Sequence, residues 1–188
     1  QMAQALQSMG RTLDAVGNRT YDKGVAFAEK YGVPKVYTDY NDMFTDPEID
    51  VIYITTPHNT HMVFLEKALS HGKHVLCEKS ITLNSQELDR AVSLARENGV
   101  VLAEAMTIYH MPLYRELRER VASGALGKVN LVQLNFGSYK VYDMSNRFFN
   151  PKLAGGAMLD IGVYAFSLAR LFLDSNPDQV SSFVRKAP

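Results

Sequence analysis

Lys79 closes the apolar run His74–Val75–Leu76–Cys77, and Asp160 and Tyr164 stand four residues apart farther along the chain. A lysine at the carboxyl end of a strand either presents a cation to a ligand oxygen or simply lies in solvent. A carboxylate and a phenol at i,i+4 spacing share one face of a helix. There they serve a hydroxylated ligand or form a buried structural pair. Gly155–Gly156, just before them, allow close backbone approach. Arg19, after Asn18, follows the first strand-like segment. In a dinucleotide fold an arginine there accommodates a ribose 2′-phosphate, whereas an acidic residue would bind the 2′-hydroxyl. Asp14 comes too early for that second role, so NADP is favoured over NAD.

Two other reactive patterns carry less. His58-x-x-His61 and His71-x-x-His74 have metal-ligand spacing. The first pair opens a helix, the second spans a turn, and no acidic or cysteine cluster completes either, so no metal is expected. The single cysteine, Cys77, lies in an apolar run and reads as a buried structural thiol. One cysteine excludes an internal disulfide framework and fits a reducing cytoplasm.

Composition narrows the class. The chain has 188 residues, enough for one sizeable core or one domain and part of another. Its 46% apolar content is that of a globular protein. Twenty basic and twenty acidic residues balance, giving no reason to expect a nucleic-acid partner. No stretch approaches the roughly 18 consecutive apolar residues of a membrane span, and no basic-then-apolar leader opens the chain.

The elements that must position these residues alternate. Met2–Met9 favours helix without a start signal, and Gly10 stops it; the N-terminus is expected to be truncated. Strand patterns at Thr12–Val16, Val36–Tyr37, Asp50–Thr56, His74–Cys77 and Val100–Ala103 alternate with helices at Tyr21–Tyr31, Asn41–Phe44, His61–Ser70 and from Asn84 to Asn98. Such alternation implies βαβ units and a doubly wound parallel sheet, lacking here its first strand. Ligands bind such sheets outside the carboxyl ends of the strands, where Thr56–Pro57–His58–Asn59, Glu78–Lys79 and Glu104 fall. Past Pro112 the pattern changes. A charged helix, Leu113–Ala122, precedes Val129–Phe136, which alternates with period two. This predicts the start of an α+β domain with a mainly antiparallel sheet whose other strands lie beyond Pro188. The expected division is 1–108 and 109–188.

Three stretches together resemble the Gfo/Idh/MocA oxidoreductases, the glucose–fructose oxidoreductase and inositol dehydrogenase family. They are Thr55–Thr56–Pro57–His58–Asn59–Thr60–His61, Gly72 through Lys79, and Leu153 through Tyr164. The resemblance implies a Rossmann domain and a second domain whose open sheet pairs subunits, hence a homodimer or higher oligomer. It places Asn18, Arg19, Thr55, Thr56, Pro57, His58, His61, Glu78 and Lys79 at the cofactor, and Lys79, Tyr164 and Asp160 at the reaction. Glu104, Tyr109, His110 and Asn135 are further hydrogen-bonding groups suited to a sugar or polyol. The family's Glu-Lys-Pro appears as Glu78–Lys79–Ser80, without the proline. Its Asp-x-Gly-x-His appears as Asp160–Ile161–Gly162–Val163–Tyr164, whose tyrosine resembles the glucose–fructose oxidoreductase and dimeric dihydrodiol dehydrogenase branches. Tyr109 stands where the latter branch tends to have arginine.

The family's glycine-rich phosphate loop, which precedes the helix on which this chain opens, is absent. The 188 residues alone are therefore expected to bind cofactor weakly. The implied chemistry is oxidation of a secondary alcohol. Tyr164 would exchange the hydroxyl proton, Lys79 would favour its anion and orient substrate, and Asp160 would accept a substrate hydroxyl. A non-catalytic sensor or co-regulator of the same fold is the rival, and retention of both Lys79 and Tyr164 speaks against it.

Overall fold

A computed structural model describes residues 1–173 and 175–183. The chain forms two compact units, Gln1–Ala105 and Met106–Pro188, so the division falls three residues ahead of the expected one.

The first unit alternates strand and helix. After α1 (Met2–Ser8) come β1 (Ala15–Gly17), α2 (Tyr21–Tyr31), β2 (Lys35–Tyr37), α3 (Tyr40–Thr45) and β3 (Val51–Ile54). Then follow α4 (His61–Ser70), β4 (His74–Cys77), α5 (Ser85–Glu97) and β5 (Leu102–Glu104). All strand pairs are parallel, in two sheets ordered β1-β2 and β3-β4-β5. β1 begins three residues later than its sequence pattern suggests, because its ladder is limited to the three residues of β2. β5 likewise starts at Leu102 rather than Val100.

Helix ends follow local chemistry. Asn84 caps α5 by accepting from the Glu87 N–H at 2.9 Å, while the Glu87 carboxylate reaches back to the Leu83 N–H at 2.9 Å. Gly32 closes α2 at φ 67°, a left-handed conformation that glycine enters without a Cβ penalty.

Ile52 and Ile54 of β3, with Val75 and Cys77 of β4, pack against Leu65 and Leu69 of α4, Phe44 of α3, and Ala91 and Leu94 of α5. Leu65 is fully buried. Leu65→Ala is expected to cost about 2–5 kcal/mol, from lost burial plus an unfilled cavity. Urea unfolding read by far-UV circular dichroism measures it, and a loss below about 1 kcal/mol would mean that the site collapses around the smaller side chain.

Ala15–Gly17 and Val51–Thr56 both line an open cleft of about 880 Å³. Among the described residues, β1 pairs with β2 alone and β3 with β4 alone.

The second unit contains α6 (Pro112–Ala122) and α7 (Val163–Phe172). Among its described residues there is no strand, and 129–136 carries no ladder. Alternating side chains make a strand only where a partner supplies ladder hydrogen bonds. The 22-residue run Pro151–Phe172 reaches a mean hydropathy of 1.2 in an 18-residue window, the length and composition of a membrane span. Its backbone is not one helix. A 3-10 turn at Pro151–Leu153 ends at Ala154 (φ 59°), Gly156 sits at φ 121°, and a π turn over Met158–Gly162 then leads into α7.

Candidate active site

Register brings three strand ends together. Ile54 aligns with Cys77, and Cys77 with Glu104. The pairing continues one step beyond the strands, with the Glu78 N–H on the Ile54 carbonyl at 2.9 Å and the Ala105 N–H on the Cys77 carbonyl at 2.7 Å. Thr55–Thr56, Glu78–Lys79 and Glu104 therefore leave one sheet along the same rim, where open parallel sheets bind ligands.

Several of these groups hold backbone. Glu78 accepts from the Tyr53 hydroxyl and, at 3.3 Å, from the Lys79 N–H. Burial, then the Glu78 hydrogen bond, raises the Tyr53 pKa, so its hydroxyl remains a donor. Glu104 accepts from the Ile81 N–H at 2.9 Å. His61 is fully buried, with Nδ1 2.8 Å from the Ser80 carbonyl and Nε2 2.8 Å from the Thr56 carbonyl. His58 is also buried, its ring edge-on to His61 at 5.7 Å between centroids. The Thr60 hydroxyl lies 2.9 Å from Thr56 Oγ1 and 2.7 Å from the Pro57 carbonyl. Thr55 and Pro57 are exposed, Thr56 and Lys79 half-buried, and the Lys79–Ser80 peptide is cis.

Asn18 and Arg19 follow β1, in the other sheet. Asn18 shapes its turn by accepting from the Thr20 N–H at 2.9 Å, leaving Arg19 exposed. Thr55 and Thr56 line the open cleft, whereas Glu78, Lys79 and Glu104 do not.

His71 and His74 take structural partners. His71 Nδ1 meets the Lys67 carbonyl at 2.7 Å, and His74 Nδ1 accepts from the Val101 N–H at 2.9 Å. No group of three or more potential metal ligands occurs among the described residues. Burial, helped by the charges of Glu104 and Glu78, pushes the Cys77 thiol up to about 12, so it stays protonated and unreactive.

In the second unit, Asp160 lies in the π turn and Tyr164 in the first turn of α7, both half-buried. Single π turns inside helices recur at functional sites. Phe136 packs edge-on to Tyr164, with centroids 5.9 Å apart. Tyr109 and His110 are exposed in the 3-10 turn Thr107–His110, and Asn135 is exposed. Of the paired glycines, Gly155 closely approaches protein backbone. A Cβ on Gly155 would meet Arg147 O at 2.6 Å and Asn150 N and O at 2.8 Å. Gly155→Ala is expected to lower stability by about 1–3 kcal/mol by pushing the 147–150 loop away. An unchanged thermal midpoint would show that the loop yields freely.

Sequence pattern alone singled out neither Tyr53, which orders Glu78, nor Phe136, which flanks Tyr164. Both act through partners distant in sequence.

Over residues 1–106 the chain matches the GFO/IDH/MocA model described as an oxidoreductase family with an NAD-binding Rossmann fold, and over 114–188 it matches the GFO/IDH/MocA C-terminal domain. A Haloferax volcanii D-xylose 1-dehydrogenase (NADP+) is 36% identical over 177 residues, covering 94% of this chain and 54% of that protein. The mouse (Mus musculus) trans-1,2-dihydrobenzene-1,2-diol dehydrogenase is 33% identical over 184 residues, covering 96% and 54%. Among solved structures, a 3-ketoreductase from Actinomadura kijaniata in complex with NADP and TDP-benzene superimposes with TM-score 0.77 at 28% identity, covering 90% of this chain and 52% of that one. The chain spans about half the length of the curated relatives it matches.

Proposed function

The chain belongs to the GFO/IDH/MocA family of oxidoreductases, and from that premise we propose that the protein transfers hydride between a nicotinamide cofactor and a secondary alcohol or hemiacetal carbon. The substrate class is a sugar, polyol or cyclic diol. The observation that carries this reading is the shared rim, with Thr55–Thr56, Glu78–Lys79 and Glu104 at the carboxyl ends of three adjacent parallel strands.

The residues present suit the ribose ends of a dinucleotide. Asn18 and the exposed Arg19 fit an adenosine ribose bearing a 2′-phosphate, which favours NADP. Thr55, Thr56, Pro57, His58 and Lys79 stand at the rim for the nicotinamide half. The pyrophosphate would need backbone N–H groups at a glycine-rich helix start. No such start occurs among the described residues.

When bound, the nicotinamide supplies the hydride acceptor or donor. The chain's own groups handle orientation and the proton. In the oxidative direction the Lys79 ammonium donates to the substrate oxygen and stabilises negative charge developing there. The hydroxyl proton passes to Tyr164 Oη, which takes it up as the phenolate, and in reduction the neutral phenol returns it. Asp160 accepts a hydrogen bond from a second substrate hydroxyl. Tyr109, His110 and Asn135 offer further hydroxyl contacts, and the full-length protein acts as a homodimer or higher oligomer.

The test is absorbance at the reduced-nicotinamide band, with full-length protein, NAD or NADP, and a panel of aldoses, polyols and dihydrodiols. Turnover with at least one class and one cofactor is expected. Cofactor binding without turnover across the panel would replace this reading with a non-catalytic sensor.

A further inference from the structure

The segment that carries Lys79 is anchored at three successive residues. The Lys79 N–H meets Glu78 Oε2 at 3.3 Å, the Ser80 carbonyl meets His61 Nδ1 at 2.8 Å, and the Ile81 N–H meets Glu104 Oε1 at 2.9 Å. These anchors come from separate elements. His61 opens α4, Glu78 follows β4, and Glu104 closes β5. Nε2 lies 2.8 Å from the Thr56 carbonyl, so the ring bridges the exits of β3 and β4, with the tautomer setting which of the two carbonyls accepts its N–H.

We propose that His61 and Glu104 are positioning residues that clamp the Lys79–Ser80–Ile81 backbone and so aim the lysine, rather than contacts for cofactor or substrate. An imidazole has two ring nitrogens, and here both lie on carbonyls in a side chain with no exposed surface. Nothing polar on His61 is left for a ligand. Glu104 is half-buried, and a carboxylate accepting a backbone N–H makes a short, charge-assisted bond that is costly to vacate. Lysine reaches its target through four flexible carbons, so its root must be held if the ammonium is to return to one place. Displacing a reacting or orienting group by about 1 Å costs on the order of a hundredfold in rate.

The inference rests on the proposed hydride transfer for its kinetic readout, and one measurement stands apart from it. In the full-length protein, Glu104→Ala is expected to lower kcat about 10–100-fold, the usual cost of losing a supporting hydrogen bond. KM for the cofactor should move far less. Glu104→Gln keeps an acceptor for the Ile81 N–H and should restore kcat to within about threefold of wild type. Hydrogen exchange at the Ile81 amide should accelerate in the alanine variant and stay slow in the glutamine variant.

A glutamine variant as slow as the alanine variant would overturn the clamp, since it would mean that the carboxylate charge itself meets substrate. Unchanged kcat and unchanged Ile81 exchange in the alanine variant would overturn it equally. If Glu104→Ala fails to fold, the glutamine variant still decides, because the clamp requires it to be active. If the wild type turns over nothing, the proposed reaction falls, while Ile81 exchange still reports whether Glu104 holds the loop.

Discussion

Lys79→Met is expected to lower kcat of the full-length protein by about 10²–10³-fold, the range seen when one preorganised electrostatic donor is removed. Methionine keeps most of the length and apolar stem of lysine and loses only the ammonium. Backbone interactions of the segment remain, because the Lys79 N–H still meets Glu78, and the Ser80 carbonyl and Ile81 N–H keep His61 and Glu104. A lost ammonium weakens charge stabilisation that grows toward the transition state, so kcat and kcat/KM should fall together. Steady-state kinetics of the variant beside a urea melt separates this from a folding defect. Turnover within a few-fold of wild type would remove Lys79 from the reaction.

Tyr164→Phe deletes one oxygen and keeps the ring. The edge-on contact with Phe136 survives. Loss of a proton-transfer group costs about 10²–10⁴-fold in kcat. The more diagnostic change lies in the pH profile. If Tyr164 exchanges the substrate proton, the wild-type limb that reports this group disappears in the variant. A variant that is slow yet keeps the wild-type profile would assign Tyr164 to substrate binding and the proton to another group.

The sequence points to Lys79 and Tyr164 on different grounds. Lys79 follows from a strand pattern and the rule that ligands gather at carboxyl ends, since β4 ends at Cys77 as the apolar run implies. Tyr164 follows from the resemblance, and its i,i+4 relation to Asp160 spans a π turn that periodicity does not announce. The rim reading put Glu104 with the substrate, and the resemblance put His61 with the cofactor. The geometry gives both of them backbone partners. Motif spacing marks which residues stand near a rim. It cannot say whether a polar side chain at that rim turns outward to a ligand or inward to a carbonyl.

What the sequence alone determined is the local order. α2, α4 and β4 lie where their patterns predicted them, and Gly10, Gly32, Gly72 and Gly99 take the left-handed backbone that stops a helix or turn. Periodicity, caps and glycine act within a few residues, so they can be read one segment at a time. Tertiary structure alone decided the register of Ile54, Cys77 and Glu104 and the pairing order within each sheet. Each of these depends on which backbone lies alongside, and a hydrogen-bonded ladder exists only when a partner strand is present. The grip on Lys79 belongs to the same class, because the Ser80 carbonyl and His61, like the Ile81 N–H and Glu104, meet only after α4, β4 and β5 have docked.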